Sequence, residues 1–136
     1  MIFLNSSIFV PSHITGFFEI IDDSEPLKKG SRGAGVVLDQ GVQTDITIED
    51  GFGTSAVKVN GKSKSKLASI SYKTIELLKN YYKIDDKNIE IDHEFQIPVG
   101  TGFGISAACA LGTALGIART LKLPLTYNQA ASIAHL

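Results

Sequence analysis

A run of 24 residues without a charged side chain, from Phe95 to Ala118, constrains this chain more than any other feature. Within it stands IPVGTGFGISAACALGTALG, residues 97–116, with five glycines, three of them at the alternate positions 100, 102 and 104. Glycine loses more backbone entropy on folding than other residues, so glycines spaced in this way imply special dihedrals or close approach of something to the backbone. Three structures compete for the run: a membrane span, a plain buried helix, or a loop that feeds anion-binding N–H groups into a helix.

Length disfavours the span. Gln96, Pro98, Thr101 and the three glycines put the start of a helix near Gly104, leaving 15 residues before Arg119, whereas a span needs about 20. The Gly112-to-Gly116 spacing of membrane helix dimers equally lets a helix lie close to a sheet. Ala108, Gly112 and Gly116 form a smooth strip with Leu111 and Leu115 beside it, as a buried helix would. That reading leaves PVGTGFG unexplained. Strand, glycine loop and helix together aim free N–H groups and the positive end of a helix dipole at an anion, most often phosphate. Two familiar phosphate loops do not fit. The Walker loop needs Lys followed by Ser or Thr after its last glycine, and the dinucleotide loop needs G-x-G-x-x-G with an acid some way on.

The rest of the chain reads as β-rich first and helical later, an α+β domain. Residues 2–10 read as a strand running into the breaker Pro11, followed by a loop, VPSHITGFF. SRGAGVVLD and GVQTDITIE read as two β segments turning near Gln40-Gly41, and Asn60-Gly61 as a tight hairpin turn. Over 66–83, Leu67, Ile70, Ile75, Leu78, Tyr81 and Tyr82 recur at helical spacing. NIEIDHEF returns to period two with Ile89, Ile91, His93 and Phe95 on one face, which makes His93 structural. Thr126 and Gln129 have capping-box spacing for a last helix. KSKSK, residues 62–66, reads as a solvated loop, and the carboxylate pairs Asp22-Asp23, Glu49-Asp50 and Asp85-Asp86 as turn residues without chemistry.

Composition sets outer limits. A chain of 136 residues suits one domain, and 43% hydrophobic with 20% charged residues is ordinary for a globular one. Thirteen Lys and Arg against 14 acids give a formal charge of −1 and no electrostatic reason to bind nucleic acid. The single cysteine, Cys109, forms no internal disulfide and suits a reducing compartment, with inert burial in the helix as its role. The N-terminus lacks a basic region, and Asn5, Ser6 and Ser7 interrupt any apolar core, so a cytoplasmic protein without a leader or membrane anchor is expected.

Pro98, Gly102, Gly104, Ser106 and Ala107 stand at the spacing P-x-x-x-G-x-G-x-S-A. This resembles the ATP-binding motif of the GHMP kinase superfamily, usually P-x-x-x-G-L-G-S-S-A, with Phe103 in place of Leu and Ile105 in place of the first Ser. FVPSHITGFFE and GSRGAGVVLD add a resemblance to the archaeal branch of that superfamily that phosphorylates pantoate, covering most of residues 8–136. The resemblance implies the GHMP N-terminal fold, a ribosomal-protein-like βαβ sandwich of a mixed sheet with helices on one face. It also implies ATP and Mg²⁺. Pro98, Gly100, Thr101, Gly102, Phe103, Gly104, Ile105, Ser106 and Ala107 would then hold the triphosphate, and Ser106 would meet the metal as the catalytic residue.

The acceptor implied is a small hydroxy acid such as pantoate. Arg32 would pair its carboxylate bidentately, Ser31 would bond a substrate oxygen, and His13, Thr15 and His135 would contact substrate or phosphate. Bland alternatives stand beside these: Arg32 and Ser31 as surface-turn residues, and His13 as a loop histidine bonded to backbone. The family's second metal ligand, a glutamate, its catalytic aspartate and a second glycine-rich segment belong after the position of His135. Residues 1–136 are therefore expected to be an ATP-binding N-terminal domain, truncated before its C-terminal half. Activity would depend on a separate C-terminal polypeptide or a homodimer. The competing reading is a non-catalytic fragment or binding module with a relic phosphate loop.

Overall fold

Period-two patterning in the first fifty residues produces two long antiparallel strands, β1 (Leu4–Ile21) and β2 (Gly30–Asp50). The computed structural model describes residues 3–62, 66–97 and 103–135, with the side chains at 15–18, 31 and 32 outside the description. Two expectations are corrected here. Pro11 does not end the first strand, so His13 and Thr15 sit in a strand rather than a loop; β1 is an edge strand, where a missing N–H is tolerated. Nor does the chain turn at Gln40-Gly41. From Pro11↔Gly41 to His13↔Val37, four steps of β2 face two of β1, a bulge that bends the ribbon without breaking it. A Cβ on Gly41 would fall against the backbone of Val10, Pro11 and Ser12, and the buried Ser12 hydroxyl donates to Gln40 O at 2.8 Å.

β3 (Ser55–Val59), α1 (Lys66–Tyr81) and β4 (Lys87–Glu94) follow as a βαβ unit, its strands parallel neighbours. The Asn60-Gly61 turn is present, with φ of 50° and 80° and paired bonds between Val59 and Lys62. It hands the chain on toward α1 rather than into a second full strand, and residues 63–65 of the basic run lie outside the described residues. The sheet order is β1-β2-β4-β3, mixed in direction. Val57, Ile91 and Ile46 form a buried row across β3, β4 and β2. Glu90, Asp92 and Glu94 alternate outward on the helix-free face.

Helices α1 and α2 (Ile105–Thr120) cover the apolar face, and α3 (Tyr127–His135) packs on α2. Leu67, Ser71, Ile75 and Leu78 of α1 are buried at helical spacing. Tyr81 is not; it is 62% exposed and borders an apolar cleft of about 480 Å³ with Leu27, Tyr82, Leu125 and Ile133. Burying each core Ile contributes roughly 2–3 kcal/mol. The capping box forms as expected: Thr126 N–H donates to Gln129 Oε1 at 2.8 Å and Gln129 N–H to Thr126 Oγ1 at 3.1 Å. Among the described residues no helix is long and apolar enough to cross a membrane. The 16 residues of α2 instead lay a strip of small side chains on the sheet, with Gly112 against Thr44 and Gly116 against Ile46.

Candidate functional site

The start of α2 is shaped by Gly104, whose left-handed φ of 74° turns the glycine segment into the helix. No side chain caps the helix there. The first helical bond runs from Ala108 N–H to Gly104 O at 3.0 Å, so the N–H groups of Ile105, Ser106 and Ala107 precede the ladder and have no protein acceptor among the described residues. Ile105 is buried and Phe103 packs on the core, whereas Ser106 and Ala107 are exposed. An apolar anchor on each side of Gly104 thus fixes the positively polarised helix end.

His13 reaches this end from β1. Its backbone N–H donates to Phe103 O at 3.0 Å, and its ring occupies the space that a Cβ on Gly104 would need. Both the φ and the ring demand glycine at 104. Pro98, Gly100, Thr101 and Gly102 lie outside the described residues. Thr15 pairs with Gly35, Ser31 with Ile20 and Arg32 with Glu19, all in strand rather than turn, with side chains outside the description.

His135, at the end of α3, is held elsewhere. Its Nε2–H donates to Lys29 O at 2.6 Å and lies 3.2 Å from Pro26 O, and its ring packs beside Gly30. The fold thus brings His13 to residues 103–107, and brings His135 to the strand end that carries Ser31 and Arg32. Glu19, the partner of Arg32, is six residue steps along β1 from His13, which is roughly 20 Å along the ribbon. A cavity of about 430 Å³ beside His135 is lined by Lys28, Lys29, Gly30, Asn128 and Ser132. Lys29 and Asn128 escaped the sequence reading because nothing in their spacing marks them; only the approach of α3 to the 22–29 connection does.

Beneath α2 lies a buried polar cluster. His93 Nδ1 is 2.7 Å from Thr44 Oγ1 and Nε2 is 2.7 Å from Ser71 Oγ, while Thr113 Oγ1 is 2.9 Å from Ser71 Oγ. Burial pushes the imidazole pKa down to about 4, so the ring is neutral, and pushes the Cys109 thiol up to about 12, so it is inert. The structural reading of His93 and Cys109 therefore holds. The sequence signal for their partners was present, as Thr44, Ser71 and Thr113 stand at core-facing positions. At the surface, the Lys87 hydrogen bond holds the Asp50 carboxyl below the usual carboxylate range, which gives that pair a surface ion-pair role. Asp50 and Glu49 close β2 rather than occupying a turn. Among the described residues no group of three or more His, Cys, Asp or Glu is placed to hold a metal ion.

A family model described as GHMP kinases N terminal domain matches residues 69–136, half of the chain. A pantoate kinase from Methanocaldococcus jannaschii is 38% identical over 129 residues, covering 95% of this chain and 45% of the relative. Another from Thermococcus kodakarensis is 39% identical over 130 residues, covering 93% and 42%. A solved structure described as a phosphotransferase related to the CoA biosynthesis pathway matches with a TM-score of 0.81 at 37% identity, over 98% of this chain and 44% of its own. The chain spans less than half the length of these relatives.

Proposed function

Since the chain belongs to the GHMP kinases through their N-terminal domain, we propose that it is the ATP-binding domain of a kinase that phosphorylates the 4-hydroxyl of pantoate, on the way to coenzyme A. The observation that carries this reading is the start of α2, where left-handed Gly104 leads into the exposed Ser106 and three N–H groups that have no acceptor among the described residues. Phosphoryl transfer asks a protein chiefly to position the reactants and to neutralise charge. The N–H groups of Ile105, Ser106 and Ala107 bind phosphate oxygens, with Pro98, Gly100, Thr101 and Gly102 extending the cradle and His13 closing its side. In this reading Ser106 is the catalytic and metal-facing residue.

The donor set at this helix start suits Mg²⁺ held mainly by phosphate oxygens and water, since the Ser106 hydroxyl is exposed there and no carboxylate or histidine cage is found among the described residues. The ion would supply charge neutralisation between the phosphoryl groups. On the acceptor side, Arg32 and Ser31 bind the pantoate carboxylate, with Thr15 and His135 contributing along the same ribbon. A cytoplasmic setting suits the lone buried thiol of Cys109. Full turnover in this proposal draws on residues beyond these 136, from a further polypeptide region or a partner subunit.

Two measurements test the reading. Titration of Mg·ATP into the chain should show binding that Ser106→Ala weakens about tenfold, the scale of one charge-assisted contact; a chain that binds neither ATP nor pantoate would refute it. Phosphorus NMR with Mg²⁺, ATP and this domain joined to the C-terminal half of a relative should show a new phosphomonoester with pantoate and none with homoserine or mevalonate. A peak with homoserine instead would overturn the acceptor.

A further inference from the structure

The small-residue strip of α2 brings the helix close to the sheet, but a smooth surface offers few ridges to stop it sliding or turning about its axis. Directional bonds can. Thr113, on the buried side of α2, reaches Ser71 of α1, which reaches His93 of β4, which reaches Thr44 of β2. One imidazole therefore ties four elements together. With its proton on Nδ1, the chain runs one way: Thr113 O–H to Ser71, Ser71 O–H to Nε2, and Nδ1–H to Thr44. The Thr113 hydroxyl also lies 2.8 Å from Cys109 O in its own helix, so its single proton has a local alternative if Ser71 is lost.

Thr113 and Ser106 are seven residues apart. That is about two turns, or roughly 10 Å along the axis, with an angular offset of about 20°. Any slide or rotation of α2 denied to Thr113 is therefore denied to Ser106.

We infer that Thr113, acting through Ser71, His93 and Thr44, is a positioning residue that sets the register of α2 and so places Ser106 and the N–H groups of residues 105–107 for phosphate. This inference rests on the phosphate-site reading above. Two near-isosteric changes separate it from plain packing. Thr113→Val keeps the shape and removes the hydroxyl; Thr113→Ser keeps the hydroxyl and removes a buried methyl, which costs stability but not the bond.

The experiment is titration of Mg·ATP into the chain and each variant, with ¹⁵N–¹H spectra recorded before nucleotide is added. Thr113→Val should raise the ATP dissociation constant about three- to tenfold, the size of one net hydrogen bond. It should also move the Ile105, Ser106 and Ala107 amide resonances. Thr113→Ser, though less stable, should stay within about twofold and leave those resonances in place. Unchanged binding and resonances in Thr113→Val, or equal effects in Thr113→Ser, would overturn the inference. Should Thr113→Val not melt cooperatively, Ser71→Ala cuts the same chain from the other side. If the unsubstituted chain binds no ATP, the phosphate reading falls, and the nucleotide-free amide comparison still decides whether Thr113 places the helix end.

Discussion

Gly112→Ala tests how closely α2 lies on β2. A Cβ at 112 would sit 2.6 Å from Thr44 Oγ1 and 3.2 Å from Thr44 Cβ. Thr44 cannot swing aside freely, because it is fully buried and bonded to His93. Overpacking of this kind costs about 1–3 kcal/mol, and loosening the Thr44–His93 bond adds roughly 0.5–1.5 kcal/mol. Against this, replacing glycine by alanine inside a helix returns about 1 kcal/mol. The net is a loss of about 0.5–3.5 kcal/mol, or a fall in Tm of about 2–12 °C for a domain of this size. Gly116→Ala is the control: there the added methyl meets the far end of the flexible Ile46 side chain. Its effect should stay within about 1 kcal/mol, since rotamer adjustment and helix propensity oppose each other. Thermal melts followed by circular dichroism, with urea titration, measure both. A Gly112→Ala domain as stable as the unsubstituted one would refute the close approach of α2 to Thr44.

His93 makes stability depend on pH. Its folded pKa of about 4 lies below the unfolded 6.5, so between these values the unfolded chain takes up a proton that the folded one refuses. Its contribution is complete above pH 6.5 and declines by roughly 3 kcal/mol as pH falls through 4. Urea midpoints of the unsubstituted chain should therefore fall more steeply over that window than those of His93→Gln, and parallel curves would count against the buried neutral ring. Thr126→Ala removes the acceptor for Gln129 N–H and should cost about 1 kcal/mol, seen as faster amide exchange confined to α3; exchange unchanged there would mean the capping box does not hold the helix.

Much of this protein could be read from periodicity. The α1 helix, the β4 strand, the α2 start at Gly104 and the Thr126 capping box all follow from local chemistry, because each is specified by residues within one or two turns of one another. The long β1–β2 ribbon was not legible, and the reason lies in Pro11 and Gly41. Both are breakers in isolation. Here Pro11 sits on an edge strand and Gly41 faces it across a bulge, so each makes tolerable what the other would disrupt. Tyr81 misled for a related reason: the helical period was right, but that turn borders the cleft beside Leu27, Leu125 and Ile133 rather than the core.

By itself the sequence determined the α+β class, the small-residue strip of α2 and the glycine spacing that leads into Ser106, since these depend on residue type and short-range order. Tertiary structure alone decided that His13 closes the Gly104 end of the helix while His135 serves the opposite end of the ribbon, and that His93 joins four elements under α2. Those partners lie 20 to more than 100 residues apart in the chain. Only the pairing of strands and the packing of α2 bring them within bonding distance, and no local pattern encodes which buried hydroxyl will meet which ring nitrogen.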